Sequence, residues 1–281
     1  MPDPMPPTGP AVQHLVVRYA KRGKMRFASH RDVARAFERG VRRAGLPIAY
    51  SAGFTPHPKI SYAGGAPTGA ASEAEYLTLA LTARQAETQV CQRLNAALPD
   101  GIDVIDVTEA EARGAWAAGH PQDRGVPERN PGGRVPPGEG YRPPGPALAR
   151  LEASEWQVVI PGVGPVAAQR AVAGFLALGE APVERLTDKG VRRLDARAAV
   201  VEMDVIETDP AGSRGGQRAA ATGLEDCAIL RMVVLHTAPA VRPEDVLTAL
   251  REQEGVVPSS PPMITRLAQG PRALLASMDT S

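Results

Sequence analysis

Between Gly114 and Pro146 the chain reads GAWAAGHPQDRGVPERNPGGRVPPGEGYRPPGP, with eight Gly and eight Pro in 33 residues. Gly and Pro interrupt both helices and strand ladders. Such a segment also buries too little apolar area to offset about 1 to 2 kcal/mol of ordering entropy per residue. No continuous core can run through it, so the 281-residue chain is expected to fold as two halves joined by a disordered linker. The expected division is a disordered leader over 1–12, a first half over 13–112, the linker over 113–153, a second half over 154–270 and a tail over 271–281. A shorter run, DPAGSRGGQRAAAT from Asp209 to Thr222, is expected to be an exposed loop inside the second half.

The first half opens with an alternating strand, His14 to Lys21, followed by a turn at Arg22 to Lys24. Ser29 with Asp32 three residues later is a shortened capping box and predicts a helix start. Val33, Ala34, Phe37, Val41 and Ala44 then recur at helical spacing, and Gly45 with Pro47 closes the element. Short extended pieces over Ile48–Ser51 and Lys59–Ala63 flank the turn GFTPHP. A strand over Glu75–Thr82, a helix over Ala83–Leu98 and a strand over Ile102–Val107 complete the half. The second half repeats the theme, with strands predicted at Trp156–Ile160, Val183–Leu186, Glu202–Glu207, Ile229–His236 and Met263–Leu267, and helices at Val166–Leu178 and Pro243–Glu252. The order strand, helix, strand, strand, helix, strand is that of the split βαβ unit. The expected fold class is therefore α+β, two ferredoxin-like halves with antiparallel sheets.

Two cysteines, Cys91 and Cys227, stand 136 positions apart, so neither a zinc-type nor an iron–sulfur ligand set exists in this chain. No metal and no cofactor are expected. The first ten residues, MPDPMPPTGP, lack a basic n-region and an apolar h-region, and no run approaches 18 apolar residues. The expectation is a cytoplasmic protein without a membrane segment and with two free thiols.

The formal net charge is only +1, yet it is unevenly spread. From His14 to Tyr62 there are eleven basic residues against two acidic ones, +9, which leaves −8 on the remainder. Arg31, Arg35, Arg39 and Arg42, spaced four, four and three, run down one side of the first helix beside its apolar face. The helix N-terminus, carrying about half a positive charge, is expected to meet Arg26 and Arg31 at the Ser29–His30 corner and form an anion site. The turn GFTPHPKIS stiffens His57 and Lys59 between prolines. His30 and His57 are the candidate catalytic residues, because two imidazoles can divide proton donor and acceptor roles near neutral pH. Plainer accounts stand beside each: an Arg-rich chain, 28 Arg to 4 Lys, that merely solvates a helix face, and histidines that only cap and turn. Lys189, Arg192, Arg193, Asp195 and Arg197 make a second charged patch, read as a solvated hairpin.

The run from Arg18 to Thr82 resembles the radical-SAM-linked protein family, a bacterial domain of unknown function. The matching pieces are Arg26–Phe27, Ser29–His30, Asp32, Arg43 to Pro47, Tyr50–Ser51, Gly53–Phe54, Pro56 to Lys59 and Glu75–Tyr76. A thinner likeness continues through Lys189, Leu194 to Arg197 and Arg242 to Asp245. That family's domain is either the C-terminal part of a radical SAM enzyme with a cobalamin-binding-type domain or a separate chain beside one. The resemblance implies an accessory or substrate-recognition module for a separate radical SAM protein, with no settled reaction. Combined with the charge pattern, it gives the expectation of an anionic partner, structured RNA, bound by Arg26, Ser29, His30, Arg31, Arg35, Arg39, Arg42, His57 and Lys59. Two alternatives stay open: a metal-independent RNA-processing or RNA-modifying enzyme using His30 and His57, and a pure protein-interaction subunit. Tyr50, Phe54 and Tyr62 sit around a loop rather than paired on central strands, unlike an RNA-recognition sheet.

Overall fold

The computed structural model of the chain describes residues 9–52, 55–110, 151–187, 190–206 and 227–276. The expected linker core, the 209–222 loop, the start of the leader, the end of the tail, Gly53, Phe54 and Lys189 lie outside the described residues. The molecule is of mixed α+β class with mostly antiparallel pairing. It divides into two compact units, the first comprising Met1–Thr68 and Ala74–Arg150, the second Gly69–Glu73 and Leu151–Ser281. A five-residue stretch of the first half thus counts with the second unit, which a linear cut at the Gly/Pro run does not anticipate.

The first unit contains β1 (Gln13–Lys21), a 3-10 turn (Gly23–Phe27), α1 (His30–Arg43), β2 (Ile60–Tyr62), β3 (Ala71–Leu81), α2 (Glu87–Ala97) and β4 (Ile102–Glu109). The strands lie in the order β4, β1, β3, β2. β1 and β4 run antiparallel with Lys21 opposite Ile102, and β2 and β3 antiparallel with Tyr62 opposite Leu77. Leu15, Val17 and Tyr19 of β1 and Leu77, Leu79 and Leu81 of β3, each spaced by two, enter one buried cluster with Val33, Phe37 and Val41 of α1 and Val90 and Leu94 of α2. Both helices therefore cover the same sheet face. Tyr19 meets Phe37 edge-on, with ring centroids 4.7 Å apart.

Two sequence expectations shift here. On α1 the buried set is Val33, Ala36, Phe37, Gly40 and Val41, while Ala34 stays half-buried and its carbonyl accepts the Tyr62 hydroxyl at 3.3 Å. The second helix begins at Glu87 rather than Ala83. Gln13 of β1 holds the backbone of Gln85 from both sides, donating to its carbonyl at 3.1 Å and accepting from its N–H at 2.9 Å, so the preceding residues form a turn.

The second unit contains β5 (Ala153–Pro161), α3 (Pro165–Ala177), β6 (Pro182–Thr187), β7 (Gly190–Asp195), α4 (Ala196–Ala199), β8 (Val200–Ile206), β9 (Cys227–Leu235), α5 (Pro243–Glu254), β10 (Met263–Gly270) and α6 (Arg272–Ala276). β10, β5, β9 and β8 lie in that order, each neighbour antiparallel. Ala71 and Ser72 of the second unit pair in parallel with Thr265 and Arg266 of β10. β6 and β7 form a separate antiparallel ribbon at the charged patch read from sequence as a solvated hairpin. In that patch Asp195 accepts from Ala181 N–H and caps α4, and Arg197 donates to Leu176 and Val200 carbonyls. Asp245 accepts from the Arg242 N–H at the start of α5 and from the Arg185 guanidinium at 2.6 Å. Of the second-half signature residues, Asp195, Arg197 and Asp245 are thus occupied in holding backbone.

Candidate nucleic-acid interface

The site is built on the first turn of α1. Ser29 is the N-cap: its hydroxyl oxygen accepts from the Asp32 N–H at 3.2 Å, and the Asp32 carboxylate accepts from the Ser29 N–H at 3.2 Å and from its hydroxyl at 2.6 Å. These hydrogen bonds hold the Asp32 carboxyl below its ordinary range, with Arg35 and Arg31 adding to the effect.

From this cap the helix carries Arg31, Arg35, Arg39 and Arg42 outward, all four exposed. Among the described residues no carboxylate lies within ion-pair distance of any of the four. Eleven steps of helical rise from Arg31 to Arg42 make the stripe about 17 Å long. Arg43 differs, since it donates to the Ala97 carbonyl at 3.2 Å and ties the end of α1 to α2. Arg26 lies half-buried with its guanidinium 4.6 Å above the ring of Phe27, itself exposed, instead of turning fully toward the cap.

His30 sits in a different set of contacts from those its sequence neighbours suggest. Its ring meets Tyr62 edge-on at 5.3 Å between centroids. A Cβ on Gly65 would lie 3.5 Å from both His30 Nδ1 and Glu75 Oε2, so these two groups converge on one small space. Glu75 is 3% exposed, and both carboxylate oxygens accept from the Ala66 N–H, at 3.1 and 3.3 Å. Lys21, also 3% exposed, donates to the Ala66 and Pro67 carbonyls at 3.2 and 3.3 Å. The Gly64–Pro67 loop is thus pinned beside His30 by two buried charges. Burial, with Glu38 as a lesser cause, pushes the Tyr62 phenol well above its ordinary range, so it stays a neutral donor to Ala34.

His57 and Lys59 occupy another neighbourhood. The His57 N–H donates to Ser51 Oγ at 3.0 Å, and its carbonyl accepts from the Ser51 N–H at 2.9 Å. Lys59 bonds by backbone to Ala49 and Ala80, and its charge joins burial in lowering the His14 pKa. The structure therefore brings Ser29, His30 and the arginine stripe together on α1, while His57 is held by Ser51 and Lys59 by the backbone of Ala49 and Ala80.

Sequence pattern alone does not single out Lys21, Phe27, Tyr62, Gly65 or Glu75. Lys21 and Glu75 read as strand ends, and Phe27 and Glu75 are marked only by the family resemblance, without a role. Among the described residues no group of three or more His, Cys, Asp or Glu side chains is placed to hold a metal ion. Cys91 and Cys227 are free thiols. No helix among the described residues is long and apolar enough to cross a membrane.

A family described as "Uncharacterized protein conserved in bacteria (DUF2344)" matches residues 14–121 and 141–243. No curated protein matches. Solved structures that align include DyPB from Rhodococcus jostii RHA1, at 13% identity over 96% of each chain with a TM-score of 0.23. A DypB variant in complex with manganese aligns at 13% identity over 98% of this chain and 97% of that one, with a TM-score of 0.22. At such scores neither likeness bears on fold or function.

Proposed function

From the premise that this chain belongs to the DUF2344 family of proteins conserved in bacteria, we propose that it is a binding module that captures structured RNA along α1. It is read as a cytoplasmic accessory module that presents this RNA to a separate radical SAM enzyme. The single observation that carries the proposal is the exposed row Arg31, Arg35, Arg39 and Arg42 with no carboxylate partner among the described residues. The two acids of α1, Asp32 and Glu38, stand at helical spacing from the row, yet neither forms an ion pair with it among the described residues. Here Asp32 is committed to the cap, and the row remains available to a phosphate backbone. The radical SAM partner rests on the motif run from Arg26 to Tyr76 alone.

The strand order last, first, third, second in each unit, with the first unit's helices on one face, supports reading the units as two split βαβ halves on either side of the Gly/Pro-rich segment. His30 and His57 are read as binding or structural residues, because the contacts of His30, with Tyr62 and beside Gly65, and those of His57, with Ser51, share no residue.

The test is a salt titration of RNA binding. Four phosphate contacts give log affinity a slope of about −3 to −4 against log salt. Replacing Arg35 and Arg39 together by Glu is expected to abolish binding at moderate salt. Unchanged RNA affinity in that variant overturns the proposal, and retention of a bound protein after nuclease treatment with no RNA recovered favours the protein-interaction subunit instead.

A further inference from the structure

We propose that Phe27 is a stacking platform for one unpaired nucleobase of the RNA whose phosphates lie along α1, an inference that rests on the RNA reading above. Phe27 is 60% exposed, the most exposed aromatic among the described residues. A lone exposed apolar residue is ordinary. This one differs in being held in place and in what surrounds it. Its 3-10 turn is fixed by hydrogen bonds from Met25 N–H to the Arg22 carbonyl and from Ala28 N–H to the Met25 carbonyl, both 3.0 Å, and by Arg22 N–H to the Gly101 carbonyl at 2.8 Å. Gly101 takes φ +87°, and a Cβ there would stand 2.7 Å from the Arg22 carbonyl oxygen, so the turn sits directly on the α2–β4 connection. Arg22 is further tied to Asp103 by a 3.0 Å ion pair.

The Arg26 guanidinium covers one face of the ring at 4.6 Å, so the exposure belongs to the opposite face and the edge. Phe27 stands two residues before the Ser29 cap and four before Arg31, the first arginine of the row. A flat apolar ring backed by a cation, two residues before the cap of the helix that carries the arginine row, is complementary to a base with its phosphates rather than to a closed duplex, whose bases are already stacked. A protein partner would have to offer an apolar group beside a row of acids, whereas a nucleotide offers both in one unit.

The experiment uses the full chain and two labelled RNAs: a hairpin with a seven-uridine loop, and a blunt duplex of the same stem. Wild type is expected to bind the hairpin about tenfold more tightly than the duplex. Phe27→Ala should lose about that factor on the hairpin and leave duplex affinity unchanged. Phe27→Trp should keep hairpin affinity, and its added indole emission, read as the difference from wild type, should be quenched by the hairpin and not by the duplex. Equal hairpin affinity in Phe27→Ala and wild type, or an unquenched indole, overturns the platform. Loss of both RNAs in R35E/R39E alongside unchanged Phe27→Ala binding removes only the platform, whereas binding that survives R35E/R39E removes the RNA reading beneath it.

Discussion

At the scale of single residues, what is local was legible and what is distant was not. Ser29 and Asp32 are three positions apart, and their hydrogen bonds follow from helix-start geometry alone. The meeting of His30 with Gly65 and Glu75 joins residues up to 45 positions apart, which only the β2–β3 register decides. Glu244, in the first turn of α5, is a third kind of residue. One of its carboxylate oxygens is buried without a hydrogen-bond partner among the described residues, and burial pushes its pKa up, against smaller lowering effects from the helix backbone and Arg242. A carboxyl whose folded pKa exceeds its unfolded value contributes stability below the unfolded value and loses it as pH rises through the folded one. Glu244→Gln is therefore expected to stabilise the protein at neutral pH by about 1 kcal/mol. Urea unfolding followed from pH 4.5 to neutrality should show a flatter pH dependence in the variant; an unchanged or steeper rise in instability with pH would refute this.

At the scale of elements, periodicity located nearly every helix and strand because one buried face repeats every two or every 3.6 residues. It failed where a distant side chain overrides local pattern. Helix α2 starts four residues late because Gln13 holds the Gln85 backbone, and β7 showed only as a charged hairpin patch without strand bounds because its sequence, GVRRLD, carries one buried residue, Leu194. The turn that presents Phe27 depends on a partner element in the same way. Gly101 must adopt φ +87° and leave room for the Arg22 carbonyl at 2.7 Å from a would-be Cβ. Gly101→Ala meets both a left-handed backbone and a backbone oxygen, so it should destabilise the protein by more than about 1 kcal/mol. A urea midpoint equal to wild type would show that the Gly23–Phe27 turn is not held against this connection.

At the scale of the whole molecule, charge is the property that sequence arithmetic reached directly. A formal net charge of +1 conceals +9 between His14 and Tyr62 against −8 elsewhere. The protein is expected to bind a heparin column at neutral pH despite its near-neutral total. R35E/R39E lowers the net charge to −3, two units at each position, and should elute at clearly lower salt than R192E/R193E, which carries the same change on the β6–β7 ribbon. Co-elution of the two variants would mean that total charge, not the α1 row, governs polyanion binding. The sequence by itself determined the mixed α+β class, the capped and basic first helix and the charge asymmetry, because each rests on spacing within one element or on a sum. Only the tertiary structure decided that His30 belongs with Glu75 and Lys21 while Lys59 belongs with His14, that Asp195, Arg197 and Asp245 hold backbone, and that Phe27 faces outward. Those outcomes depend on strand register and on which element lies against which, and a strand's side-chain alternation fixes its face but not its partner.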